Sequence, residues 1–145
     1  MRPHGPTQLF VYGTLRSDPS HEMFHILARH AKFLGEARVA GRLFDLGEYP
    51  GMVLQPNDNH VKGELYDVRP EHWNQVIQQL DQYEGCTDGD PEPHEYRREI
   101  VQAELSNGRT VDAWAYVLNR PAAGLVEIPS GDYLSAPAPL RSQSR

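Results

Sequence analysis

Asn107-Gly108 lies between two runs of strand-forming residues, Tyr96 to Leu105 and Thr110 to Leu118, and this pattern limits the fold more than any other stretch of the chain. Branched and aromatic side chains favour extended backbone because they pack well on a pleated surface. An Asn-Gly pair tolerates the positive φ angles that a tight reversal between right-twisted strands requires. The segment therefore predicts an antiparallel hairpin with a type I′ turn. The two-residue period of a strand puts Trp114 and Tyr116 on one face of it. An isolated hairpin is barely stable in water, so further strands or helices must cover that face.

Other segments supply them. Gln8 to Tyr12 (QLFVY) is a short continuous apolar run, as expected of a strand buried on both faces, and Gly13 ends it. Asp18-Pro19 gives a cap and a first-turn proline for a helix running to about Ala31, with Met23, Phe24, Leu27 and Ala31 on one face. Strands are expected around Phe33 to Phe44 and Met52 to Gln55, separated by the turn-rich Gly47 to Gly51, and again over Val61 to Val68. A second helix is expected from Pro70 to Glu84. The loop CTDGDPEPHE that follows is too rich in Asp, Gly and Pro to be regular. Beyond Asn119 no periodic pattern remains. Asp132-Tyr133-Leu134 is the segment there suited to docking, and residues 136–145 are expected to be loose.

The length, 145 residues with 39% hydrophobic, suits one domain with a core over about residues 8–135. A net charge of −6 with scattered Lys and Arg lacks the basic footprint that phosphate-backbone binding needs, so nucleic acid is not expected as a partner. The N-terminal MRPHGPTQ has no apolar core of signal-peptide length, and no segment has membrane-spanning length. The expectation is a cytoplasmic protein with no membrane partner. The lone cysteine, Cys86, cannot form an internal disulfide, in keeping with a reducing compartment.

Glu84 is the first candidate for chemistry. Trp73, Val76, Ile77 and Leu80 recur at the spacing of one apolar helix face, and Glu84, at ~100° per residue, points within roughly 20° of Trp73. Gly85 is placed to end the helix in the left-handed conformation. A carboxylate directed toward the core loses hydration, so its proton affinity rises and it can act as acid or base near neutral pH. The rival reading stops the helix a residue or two earlier and turns Glu84 out to water. A negative charge at a helix C-terminus opposes the macrodipole, a cost that nothing local offsets and that favours a functional cause.

Tyr12-Gly13-Thr14-Leu15 stands where the buried first strand leaves its sheet. A glycine there lets a ligand approach the backbone, and successive N–H groups in such a turn can cup a carboxylate or an oxyanion. The same residues also fit an ordinary strand-ending turn. The spacing and lysine of a phosphate-binding loop are absent.

VYGTLR after the first strand, then GELYDV, LDQYEGC and YRREIVQAEL, occur in an order that resembles the gamma-glutamylcyclotransferase-like family, including its gamma-glutamylamine cyclotransferase branch. The likeness runs from about Gln8 to Leu118, with a weaker echo at Gly131-Asp132-Tyr133. It implies an α+β fold, a small mixed sheet or open barrel flanked by helices, which agrees with the element order above. It implies that Tyr12 to Leu15 hold a gamma-glutamyl group and that Glu84 is the catalytic acid/base. The implied activity is conversion of a small gamma-glutamyl substrate to 5-oxoproline plus a free amine or amino acid, without cofactor or metal. Tyr96 and Tyr116 join the substrate-binding candidates because core and cavity are neighbours in a small barrel. The turn after Arg16 reads SDPSH where relatives carry a glycine-rich stretch ending in asparagine, and this leaves the substrate open. A module that kept the pocket and lost turnover is the alternative from another class.

Three further patterns compete. His21-Glu22-Met23-Phe24-His25 matches the HExxH motif of zinc proteases, but His21, Glu22, His25 and Arg29 fall opposite Phe24, Leu27 and Ala31, facing solvent or the core rim; no glycine-spaced third histidine follows, and Glu48 is only a distant third ligand. Cys86 with His94 as base is a conceivable nucleophile pair; packing is the simpler role, since acidic surroundings raise a thiol pKa. His4, His30, His60 and His72 read as surface residues. Tyr49-Pro50 fits either a pocket rim or a plain turn.

Overall fold

Ten short elements follow one another among the described residues: β1 (Gln8–Val11), α1 (Glu22–His30), β2 (Ala31–Asp45), β3 (Pro50–Leu54), β4 (His60–Val68), a 3-10 turn (Pro70–His72), α2 (Trp73–Glu84), β5 (Tyr96–Leu105), β6 (Thr110–Leu118) and β7 (Val126–Ile128). The computed structural model describes residues 5–13, 22–47, 49–55 and 59–133, with the backbone alone for 22–24. Neighbouring strands run β2-β4-β1-β6-β5, and β5 returns to β2 through Ala37 opposite Leu105, which closes a five-stranded barrel. The sheet is mixed because β1 runs antiparallel to β4, Phe10 opposite Leu65, and parallel to β6, Leu9 opposite Trp114. Past Ala40, β2 leaves β4 and pairs with β3 and β7 instead.

The two-residue period of the strands divides the apolar residues into two cores. Phe10, Val61, Leu65, Ala113, Ala115 and Val117 point into the barrel and pack with Val39, Leu43 and Met52. Leu9, Val11, Tyr66, Val68 and Tyr116 point outward, where Leu27 of α1 and Trp73, Val76, Ile77 and Leu80 of α2 cover them. The apolar run in β1 is thus buried on both faces, one side by the barrel and the other by helices. At ~25 cal/mol per Å² of apolar surface, each large side chain so buried contributes about 1.5–3 kcal/mol.

Helix α2 ends in the manner its sequence predicts. Gly85 has φ 73°, its N–H donates to the Gln82 carbonyl at 3.2 Å, and the Cys86 N–H donates to the Asp81 carbonyl at 3.1 Å. These two bonds satisfy carbonyls that the helix leaves without partners, and they hold the last turn, with Glu84 in it, against the barrel.

Four local expectations change. The hairpin arms have the expected bounds, but the Gly108 N–H donates to the Leu105 carbonyl at 2.9 Å, so Ser106 and Asn107 are the central turn residues. The loop is of the three-residue type with Gly108 left-handed after it, not a two-residue type I′ turn. Helix α1 ends at His30, and Ala31 opens β2 by pairing with Val68, because the sheet ladder offers its backbone the partners that another helical turn would supply. Strand β3 begins at Pro50, before the expected Met52. The residues after Asn119 include β7, too short for a periodic signal, which pairs with β2 through Leu43 opposite Ile128. Asp132-Tyr133 does dock: the Gly131 carbonyl accepts from the Lys62 N–H at 2.7 Å, and Tyr133 is buried in the barrel core. Gly131 is required there, since its φ is 69° and a Cβ would lie 1.9 Å from the His60 carbonyl oxygen. Leu134, the tail 136–145, Asp18-Pro19 and Glu48 lie outside the described residues.

Candidate active site

The exit of β1, the last turn of α2 and the first residue of β5 converge at one end of the barrel, around a cavity of about 50 Å³. Tyr12 and Gly13 enter from β1, Glu84 from α2, Tyr96 from β5, Tyr116 from β6, and Tyr49-Pro50 from the start of β3. The structure therefore brings Glu84, Tyr12, Gly13, Tyr96 and Tyr116 together around one space. Thr14 and Leu15 lie outside the described residues. Glu84 is half-buried and turned toward the cavity, as its phase with Trp73 predicts. Among the described lining residues it is the only carboxylate.

Of the five tyrosines that line the cavity, Tyr12, Tyr96 and Tyr116 use their hydroxyls to brace the framework. Tyr12 donates to the Tyr116 carbonyl at 2.5 Å and accepts from the Met52 N–H at 3.1 Å. Tyr96 donates to the Pro50 carbonyl at 2.6 Å, and Tyr116 donates to Asp81 Oδ1 at 2.7 Å. Burial, above all, pushes all three phenols up from their ordinary range, and the negative charge of Glu84 adds to the shift in each case. They remain neutral donors at any physiological pH, beside the carboxylate of Glu84. Substitution of Tyr12 by Phe is expected to cost about 1–3 kcal/mol in a denaturant titration, because the buried Met52 N–H then loses its acceptor. A change below ~0.5 kcal/mol would mean that water takes over the bond.

Gly13 owes its place to close approach rather than to an unusual φ. A Cβ there would meet Pro50 Cγ at 3.1 Å and Cδ at 3.2 Å, tighter than ordinary contact. Tyr49-Pro50 is a cavity wall, the first of its two readings. Tyr49 also donates to Glu95, and its ring stands 5.9 Å from that of Tyr96. Trp114 shares the outer face with Tyr116 but does not reach the cavity; its Nε1 donates to the Pro6 carbonyl at 2.9 Å.

Sequence reasoning missed Asp81 and Arg98. Asp81 sits in the last turn of α2 and takes a two-pronged bond from Arg98 of β5, Nε to Oδ1 at 3.0 Å and Nη2 to Oδ2 at 3.1 Å, beside the Tyr116 hydroxyl. The available signal was a carboxylate one helical turn before Glu84; its partners were not visible locally.

Cys86 and His94 do not form a pair. The thiol approaches Asp81 Oδ1 at 3.8 Å, whereas His94 Nε2 contacts the Asp90 carbonyl. The Cys86 thiol is pushed up to about 12, first by burial and then by Asp81 and Glu84, so the loop's composition is not the leading cause. Because only thiolate is alkylated, Cys86 at pH 8 should react with iodoacetamide at least about a hundredfold slower than free cysteine, its rate still climbing with pH where free cysteine has levelled off. A rate equal to free cysteine would contradict the burial. His25 is exposed, as the helix phase predicts, and His21 lies outside the described residues. His30, His60 and His72 are partly covered rather than fully exposed, and the His30 and His72 rings lie 4.4 Å apart, tilted by 37°. No described helix is long and apolar enough to cross a membrane.

The family model described as "Gamma-glutamyl cyclotransferase, AIG2-like" matches residues 9–135. The gamma-glutamylcyclotransferase family protein YtfP of Escherichia coli K12 is 35% identical over 130 residues, 88% of this chain and 96% of YtfP. Among solved structures, an AIG2-like protein of Mus musculus superposes with a TM-score of 0.72 at 28% identity, covering 98% of each chain. YkqA of Bacillus subtilis superposes with a TM-score of 0.62 at 29% identity; the match covers 88% of this chain and 39% of YkqA.

Proposed function

This chain belongs to the gamma-glutamyl cyclotransferase, AIG2-like family, and from that premise we propose that it cyclises a gamma-glutamyl group to 5-oxoproline and releases an amine or amino acid, with Glu84 moving the protons. The observation that carries the reading is the convergence of Glu84 with Tyr12-Gly13 on an aromatic cavity in which no other described lining residue is a carboxylate. The substrate's α-amine must lose a proton before it can attack, and Glu84 accepts it. The α-nitrogen then bonds to the γ-carbonyl carbon, whose oxygen becomes an oxyanion. The backbone N–H of Gly13 and those of Thr14 and Leu15 that follow it in the sequence are the candidate donors to it. Glu84 gives its proton to the original amide nitrogen as the bond from that carbon breaks, then takes the second proton from the ring nitrogen and passes it to the released amine.

The small cavity supports this reading because cyclisation needs the glutamyl chain folded back on itself, and rings on several sides favour the folded form. Only protons and one acyl group move, so the chemistry calls for no redox cofactor. The test is a screen of gamma-glutamyl amines and gamma-glutamyl amino acids for 5-oxoproline release. Release from at least one compound is expected. Saturable binding without release would instead favour a binding module.

A further inference from the structure

Asp81 and Glu84 are three residues apart in the last turn of α2, the spacing that sets helix side chains on one side. Arg98 reaches Asp81 from β5 with both prongs of its guanidinium while its flat face lies over the Trp114 ring at 4.8 Å, so the cation is held in one orientation. Tyr116 links this pair to the cavity, since its hydroxyl donates to Asp81 and its ring lines the same space as Glu84. Resting on the cyclotransferase reading above, we propose that Asp81 and Arg98 are positioning residues that set the protonation of Glu84: they bolt its helical turn to the barrel and cancel each other's charge beside it.

The cancellation matters because a second free carboxylate close to Glu84 would raise its proton affinity and leave it protonated when it must act as a base. With Arg98 in place Glu84 works beside a neutral pair. The same three charges already act together on their neighbours: Asp81 and Glu84 push up both the Cys86 thiol and the Tyr116 phenol, while Arg98 opposes them. The other titratable groups around the cavity are Tyr83 on α2, Tyr12 on β1, Tyr96 on β5 and Tyr49 ahead of β3. Two further carboxylates stand beside these elements: Glu95, bonded by Tyr49 and 3.6 Å from Arg120, and buried Glu64, opposite Val11 in the ladder and bonded by Tyr66.

The test follows the Glu84 carboxyl carbon by NMR through a pH titration, with its signal assigned by loss in Glu84→Gln, in protein carrying Asp81→Asn, Arg98→Met, both, or Arg98→Lys. Arg98→Met leaves Asp81 uncompensated and should raise the Glu84 midpoint by about one pH unit. Asp81→Asn leaves Arg98 uncompensated and should lower it by a similar amount. The double substitution should bring the midpoint back to within about 0.3 unit of wild type, and Arg98→Lys, which keeps the charge, should leave it there. The acidic limb of kcat/KM for 5-oxoproline release should move in the same directions.

A purely structural pair would weaken folding without opposite shifts or their reversal in the double variant. Midpoints within about 0.3 unit of wild type in both single variants, or shifts of the same sign, would overturn the proposal. If Arg98→Met does not fold, Asp81→Asn against the double variant decides the matter. Should that pair not fold either, Arg98→Lys decides, since a shift as large as one pH unit with the charge retained would overturn it. The carboxyl titration needs no substrate, so a protein that turns over no gamma-glutamyl compound would defeat the cyclotransferase reading while the midpoints still test the charge balance.

Discussion

Replacing Glu84 with Gln is expected to lower 5-oxoproline release at least about a hundredfold while leaving substrate affinity and folding near wild type. The amide keeps the size and hydrogen-bonding capacity of the side chain but cannot shuttle a proton at any accessible pH. No described neighbour can take over, because the phenols of Tyr12, Tyr96 and Tyr116 are pushed far above neutral and Asp81 is engaged by Arg98 and Tyr116. The loss should appear in kcat, since proton transfer belongs to the chemical step. Rate measurement with a compound from the screen, and a thermal melt of both proteins, make the check. Turnover within a few-fold of wild type would refute Glu84 as acid and base and leave the cavity without an assigned catalyst.

Gly13→Val should reduce kcat/KM by at least about tenfold through a different route. The first added carbon already presses on Pro50, at 3.1 Å from Cγ and 3.2 Å from Cδ, and the two further methyl groups of valine must displace that ring or enter the cavity. Either outcome removes room where the glutamyl chain has to fold back. Gly13→Ala is expected to fall between wild type and valine, a graded order that marks steric exclusion rather than loss of a chemical group. The melting temperature should drop by only a few degrees, because β1 is anchored by Leu9, Phe10 and Val11 in the two cores. Normal turnover in Gly13→Val would show that this glycine does not border the substrate.

The inward direction of Glu84 was readable because it depends on residues within three helical turns: Trp73, Val76, Ile77 and Leu80 mark the apolar side, and Gly85 marks where it stops. The double burial of β1 was readable for the same kind of reason, an unbroken apolar run. The hairpin bounds followed from two strand-forming runs, yet its turn differed from the expected type by one residue, because the closing bond depends on how Leu105 and Arg109 meet across the ladder. Strand β7 has three residues and no period of its own; it is a strand only because β2 offers it an edge.

By itself the sequence determined which residues are apolar on which side of each helix and strand, and so which end of the chain's first strand and which turn of its second helix carry candidate chemistry. Such patterns arise from the fixed periods of local backbone geometry. Only the tertiary structure decided what each polar group bonds to. Asp81 meets Arg98 and Tyr116 across sequence separations of 17 and 35 residues, and Tyr12 reaches Met52 and the Tyr116 carbonyl at separations of 40 and 104. Tyr12 meets the Tyr116 carbonyl because β1 lies beside β6, and Arg98 stands next to Tyr116 because β5 pairs with β6; no local period encodes which strand will lie beside which.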